Sequence, residues 1–597
     1  MGAVMSEDLR QCTCISDPDL LRGTRVADVL WSCGRLLQDS AGTAETFSLS
    51  APVTRIDEFI SHNWSTRRMR KFMVLALHYN LGLAVSAASA AALLLFSLEA
   101  AGALPDYRYD TSGRGWLIDT GRKAPFCFLA GNLVLALTVP FGRQAVGRRA
   151  LRGPSVFLDK ACIHQTDPER KRRAITRLAG LLQQSDGVVV VYTSSYLRKV
   201  WTVYELASAL MLQPAKRLVV FPVLLPWIAL ACASARMAKL LVCELLRIGW
   251  VEEALRGVQA AQLCGEGLAR HALAELPTAL HFAVLCGLLR LWANARARID
   301  EAVQKFSVRD AACTEEADRE LVQGNIALFM REFGYVEKGA PIERALDEFD
   351  ALVRALLPGA LRASFGRAGL PYRIVAAACG LPAIFDDLDR LASLARAGGS
   401  ALQVGVTLLD ALTYNLAVWP CTVGLASCLS SFLVPCPGPA AAALFPAQVA
   451  AALLAKRLAS EVCALAVRAA TTSAWGLRAY LCWAGLLWLL TGLFYYPQAW
   501  RRPGRPTPEA SEEAEPSSCT SRGPPRRPGP KRPRAAEAAG HPAFFPACAA
   551  EAEPCPAPPA AAGPQAWRPP SGPLQKAGGE PEPSPCSSEG SPQLSGP

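Results

Sequence analysis

Two stretches of this chain carry the pieces of one α/β unit, and two long apolar runs separate them. The first stretch is Ile56-Asp57-Glu58-Phe59-Ile60-Ser61-His62-Asn63-Trp64. The second, residues 156–210, contains Val156-Phe157-Leu158-Asp159 and Asp186-Gly187-Val188-Val189-Val190-Val191-Tyr192. These runs are apolar without alternation and rich in β-branched residues, as strands covered on both faces should be. Residues 65–80, Asp167-Pro168 with Ile175, Leu178, Leu181 and Leu182, and residues 201–212 read as the intervening helices, and residues 217–223 as a further strand. Strands alternating with helices predict a parallel sheet with right-handed crossovers. Strands of one sheet must also fold in one compartment. The apolar runs at 81–98 and 124–141 therefore have to leave a membrane on the side they entered, as a hairpin inserted into the domain.

Each run is uncharged and 18 residues long, close to what crosses ~30 Å of hydrocarbon. Further candidates are 218–235, 277–293, parts of 401–435, 440–455 and 475–496, for roughly five to seven spans. In the last, Trp475, Trp483, Trp488, Tyr495 and Tyr496 are placed like interfacial anchors. A composition of 51% hydrophobic and 19% charged residues fits a multipass membrane protein better than a soluble one. Residues 1–40 lack the apolar core of a signal peptide. Arg67, Arg68, Arg70 and Lys71 precede the hairpin, and Arg143, Arg148, Arg149 and Arg152 follow it. The intervening loop balances its cations with acids, so the positive-inside rule places the α/β unit in the cytosol. The net charge of +11 then belongs beside anionic lipid, and no nucleic-acid face is expected. The 20 cysteines show no paired Cys-x-x-Cys spacing and read as free thiols. Gly82, Ser86 and Ala90 form a small-residue stripe along the first span, suited to close helix packing within the chain or between two chains.

The expected layout is a leader (1–55) opening with an N-myristoylation pattern at Gly2, then the first part of the α/β domain (56–80) and the hairpin (81–141). The second part (142–226) follows, then helical and membrane segments (227–293). A charged cytosolic helical insert (294–370) carries Leu346, Phe349, Leu352, Val353 and Leu356 on one face. Membrane helices (371–498) and a Pro-rich tail (499–597) complete the chain. The tail has too little apolar surface to offset its ordering entropy and is expected to be disordered.

Phe59-Ile60-Ser61-His62, Phe157-Leu158-Asp159, Ser185 before a valine strand, Ser194-x-Tyr196 and Trp201-x-x-x-Glu205-Leu206 together resemble the Toll/interleukin-1 receptor (TIR) domain. The layout is similar to TIR-like multipass proteins of unicellular eukaryotes, in which Asp-Lys-x-Cys-Ile-x-Gln recurs, here Asp159-Lys160-Ala161-Cys162-Ile163-His164-Gln165. The resemblance covers residues 56–210 without the hairpin. It implies a flavodoxin-like α/β domain interrupted by a transmembrane hairpin, and self-association or recruitment of protein partners. In NAD-cleaving members the glutamate of Trp-x-x-x-Glu is catalytic, and the resemblance gives that role to Glu205. Thr202 stands where the family usually has cysteine.

Such folds bind ligands at the carboxyl ends of their strands, near the switch in strand order. The residues there are Ser61, His62, Asn63 and Trp64, then Asp159 to Gln165, then Ser194 to Tyr196. Glu205 follows one turn into the next helix. Ser61, His62, Asn63, Trp64, Asp159, Tyr196 and Trp201 are the candidate binding residues, with Trp64 or Trp201 stacking on adenine or nicotinamide. A carboxylate suits NAD cleavage, because departing nicotinamide leaves an oxocarbenium-like ribose. NAD is then a candidate substrate, and no cofactor is assigned. His62, Cys162 and His164 lack zinc-site spacing, so no metal is expected. The chain has neither a Walker phosphate loop nor a Gly-x-Ser-x-Gly elbow. Three functions follow: a membrane-anchored signalling scaffold, a membrane-tethered NAD hydrolase using Glu205, or a transporter or channel with a regulatory TIR-like module, for which Asp410 and Arg373 are pathway candidates. Glu205 joined to the ends of the first and third strands favours the enzyme. Glu205 in solvent or beneath the sheet favours the scaffold.

Overall fold

The unalternating valine and isoleucine runs occupy the middle of a six-stranded sheet. A computed structural model describes residues 6–15, 17–108, 120, 122–145, 153–212, 217–245, 266–313, 316–366, 368–436 and 438–495. The strands are β1 (Arg22–Arg25), β2 (Ser50–Pro52), β3 (Ile56–Ser61), β4 (Tyr107–Arg108), β5 (Arg122–Lys123), β6 (Ser155–Phe157), β7 (Ser185–Tyr192) and β8 (Arg217–Pro222). The sheet runs β2-β1-β6-β3-β7-β8, and β4 with β5 form a separate ribbon in the loop of the hairpin. From β6 to β8 all pairs are parallel, with Phe59 beside Phe157 and Ile60 beside Val189. Counted from β3, that order is 2-1-3-4, the flavodoxin-like arrangement. The split domain is thus rejoined: β3 and β6 are neighbours, the Phe59 and Phe157 rings stack at 4.7 Å, and Ser155 N donates to Asp57 Oδ2 at 2.6 Å.

The leader departs from its expected role. Its β1 pairs antiparallel with both β2 and β6 and extends the sheet. Arg22-Gly23-Thr24-Arg25 carries no apolar pattern, and its strand is held by polar contacts instead. Arg22 donates from Nε to Ser50 Oγ at 2.9 Å and from Nη2 to Ser50 O at 2.6 Å.

Among the described residues six helices are long and apolar enough to cross a membrane: Arg68–Ala100, Phe126–Ala145, Leu276–Gln304, Ala401–Phe432, Gly438–Thr472 and Ala474–Tyr495. The candidate at 218–235 is not among them. Its first residues belong to β8, buried by pairing with β7, and a helix begins only at Leu225. The hairpin is built from α1 (Arg68–Ala100) and α2 (Phe126–Ala145), packed along one another. The start of α1 lies in the core of the sheet domain, where Phe72, Val74, Leu75 and Ala76 are buried. The face fixed there continues through Ala84, Ala88 and Ala92, all fully buried. The small-residue stripe at Gly82, Ser86 and Ala90 consequently points outward.

Further along lie α3 (Val200–Leu212), α4 (Glu316–Glu332), α5 (Ile342–Phe365) and α6 (Leu381–Arg396). The charged helical segment does more than connect membrane helices, because α4 and α5 cover the open side of the sheet domain. Tyr204 of α3 stacks on Phe329 of α4 at 6.1 Å. Ser364 of α5 accepts from Val220 N of β8 at 3.2 Å, which occupies an edge that would otherwise invite further pairing. Leu346, Phe349, Val353 and Leu356 are buried as their spacing requires. Gly2 and the Pro-rich tail lie outside the described residues.

Candidate functional site

β3 and β7 end side by side, so the residues that follow them meet above the sheet. Ser61, the last residue of β3, is fully buried. Its hydroxyl lies 2.6 Å from the Tyr196 hydroxyl and donates to Glu205 Oε2 at 2.5 Å. With that proton committed to Glu205, Tyr196 is the donor in the other bond, and the three groups form a relay. Tyr196 stands in a short turn after β7, and Thr202 fixes that turn by donating to Tyr196 O and, at 3.0 Å, to Lys199 O. The threonine that replaces the family's cysteine therefore works as a clamp on the turn. Glu205, half-buried on α3, aims at the strand ends. Burial pushes its carboxyl up to about 8, against the pull of the Ser61 hydrogen bond and with the Asp159 charge adding to the rise.

A second group adjoins the first. Trp64 donates from Nε1 to Asp159 Oδ2 at 2.7 Å, and the His62 ring meets the Trp64 ring edge-on at 4.4 Å. Lys71 Nζ lies 4.4 Å and Lys160 Nζ 5.8 Å from the Trp64 ring centre. Lys160 is itself held by Asp39 Oδ1 at 2.9 Å. Burial pushes the His62 imidazole down to about 4, so it is neutral at ordinary pH, and the Asp159 charge opposes that shift only in part. His62 Nε2 and Lys71 Nζ are buried with no hydrogen-bond partner among the described residues. Asn63 joins the two loops: it donates to Ser195 Oγ at 3.0 Å and accepts from Ser65 N and Oγ at 2.9 Å.

The structure thus brings together Ser61, Tyr196 and Glu205, sets His62, Trp64 and Asp159 beside them, and uses Asn63 to tie the loops. Trp201 stands apart. Its Nε1 donates to Asp318 Oδ2 of α4 at 2.9 Å, which turns the indole toward the helical cover. Two residues of the site, Lys71 and Asp39, escaped the sequence reading. Lys71 reads as one of a row of membrane-flanking cations but is fully buried. Lys160 adjoins Asp159 in a legible motif, whereas its partner Asp39 comes from the leader, where no pattern marks it. Cys162 is buried with Sγ 3.8 Å from Val156 O, and His164 Nδ1 accepts from Asp167 N at 3.1 Å, so both are spent locally.

Residues 157–229 match the family model of the TIR domain. The chain carries a TIR domain. The match begins within β6 and takes in Asp159, Tyr196, Trp201 and Glu205. Ser61 to Trp64 lie before it, beyond the hairpin, and the parallel pairing of β3 with β6 and β7 adds them to the TIR sheet. No curated protein and no solved structure matches the chain. A TIR domain in a chain with six such apolar helices supports a membrane protein with a signalling or scaffold role in general.

Proposed function

We propose that this protein is a membrane-anchored TIR signalling protein whose cytosolic crevice cleaves NAD, with Glu205 as the catalytic carboxylate. The observation that carries the reading is the hydrogen bond from Ser61 to Glu205, which, through the Ser61–Tyr196 bond, joins the carboxylate to the ends of the first and third parallel strands. In the reaction the bond between ribose C1′ and the nicotinamide nitrogen breaks, and nicotinamide leaves with the bonding pair. Water then adds at C1′ and releases a proton, giving ADP-ribose. An ionised Glu205 stabilises the ribose cation, and in a site with few competing waters that stabilisation is large. The Ser61 hydroxyl, itself held by Tyr196, fixes the carboxylate in place, and Trp64 stands half-buried beside it.

Assembly without turnover is the second reading, favoured by the closed relay among Tyr196, Ser61 and Glu205. A carboxyl hydrogen-bonded within the protein is also what a purely structural link would look like. TIR domains commonly self-associate or bind protein partners, and the enzyme reading does not exclude that. Nicotinamide release by the purified full-length protein separates the two. Turnover supports the hydrolase, and assembly with no turnover leaves the scaffold.

A further inference from the structure

The hairpin's far end contains a second cluster, remote in sequence from the TIR crevice. Glu99 lies in the last turn of α1, Cys127 in the first turn of α2, and Asp389 in the middle of α6. One ligand atom from each, a carboxylate oxygen, the thiol sulfur and a second carboxylate oxygen, lie within 4.8 Å of one another. Glu99 is 4% exposed, and Cys127 and Asp389 are 0% exposed. Both Glu99 oxygens are buried with no hydrogen-bond partner among the described residues. Asp389, by contrast, is held by two backbone donors, Cys127 N at 2.7 Å to Oδ1 and Phe128 N at 3.0 Å to Oδ2.

The nearby cations are already committed. Lys123 binds Asp386 and, at 3.0 Å, Glu244. Arg390 binds Glu244 at 2.9 Å and Asp386 at 3.1 Å. Two carboxylates remain at the cluster in a water-poor setting, where uncompensated charge is costly. From this geometry we infer that Glu99, Cys127 and Asp389 form a binding site for a divalent transition metal of the zinc type. A thiolate with two carboxylates is a donor set that zinc accepts and that magnesium or calcium, which prefer oxygen alone, does not favour. Ligand atoms bonded at ~2.0–2.3 Å in a tetrahedron lie within ~4 Å of one another. The observed spread of up to 4.8 Å therefore requires the three side chains to draw together around the ion. The backbone donors to Asp389 are the outer hydrogen bonds that orient a ligating carboxylate. A bound ion would fasten both arms of the hairpin, at its far end, to α6.

The test uses the full-length protein in detergent, stripped with chelator and titrated with Zn²⁺ or, as a spectroscopic probe, Co²⁺. Wild type should take up a single tightly held ion with a thiolate-to-cobalt charge-transfer band. Cys127→Ser should lose the band, and Glu99→Gln should lose the uptake. Glu99→Gln should remain folded without metal, because it removes a buried charge, and Zn²⁺ should raise the Tm of wild type but not of this variant. Equal uptake by wild type and both variants, or no uptake by folded wild type at any pH from 6 to 8, would overturn the site in favour of protonated carboxyls.

Discussion

Ser61, at the end of β3, donates a hydrogen bond of 2.5 Å to Glu205, 144 residues further along the chain. This contact crosses the inserted hairpin and ties the carboxylate to the first strand of the TIR sheet. It also favours the ionised carboxylate, so removing it should raise the Glu205 carboxyl beyond its present value of about 8. If ionised Glu205 performs the reaction, the rate rises with pH through that value, and Ser61→Ala should move the rise to higher pH. A pH–rate profile of the two proteins checks this; an unmoved midpoint would detach Ser61 from the carboxylate.

The same group predicts a stability effect. Its ordinary carboxyl value of 4.5 is raised in the folded state, so between 4.5 and about 8 the folded protein keeps a proton that the unfolded chain has released. Stability should therefore fall as pH rises across that window. Glu205→Gln abolishes the titration and should show a higher Tm than wild type at pH 8 and a smaller difference at pH 5. Melting curves at the two pH values decide it, and equal differences at both would contradict the protonated state.

Trp201 is expected to hold the helical cover and to contribute nothing direct to the crevice. Trp201→Phe keeps the ring but leaves Asp318 without its indole donor, at a cost of about 1 kcal/mol in stability. KM for NAD should be unchanged. A raised KM with unchanged stability would return Trp201 to the binding site.

Topology is open to direct labelling. Ala103, in the hairpin loop, and Ser194, after β7, are both exposed. In intact cells carrying the protein in the plasma membrane, an impermeant maleimide should label Ala103→Cys above the wild-type background. Ser194→Cys should be labelled only after permeabilisation. Reversal of the two results would place the TIR sheet outside the cytosol.

The central strands were legible because Ile56, Phe59, Val156 and Val188 to Val191 carry their burial in composition alone. Phe59-Ile60-Ser61-His62 marked the end of β3 and Trp201-x-x-x-Glu205 the start of α3, both as local patterns. What was not legible depends on partners distant in sequence. Arg22 to Arg25 become a strand only because β6 offers an edge. The burial of Lys71 follows from the packing of α1 beneath the sheet, which no count of flanking cations reveals. The Trp201 indole turned from the crevice because Asp318, in a segment read as a connector, supplies its acceptor. Glu99, Cys127 and Asp389 have no mutual spacing, since Cys127 and Asp389 meet across 262 residues.

Nicotinamide release from full-length protein in detergent, measured for wild type and Glu205→Gln in parallel, tests the central claim most directly. The amide is nearly isosteric and carries no charge, so the variant should fold and assemble as wild type does. Its turnover should fall by a factor on the order of a hundred or more. Wild-type protein that assembles but releases no nicotinamide, or a Glu205→Gln variant that releases it at the wild-type rate, would contradict the account.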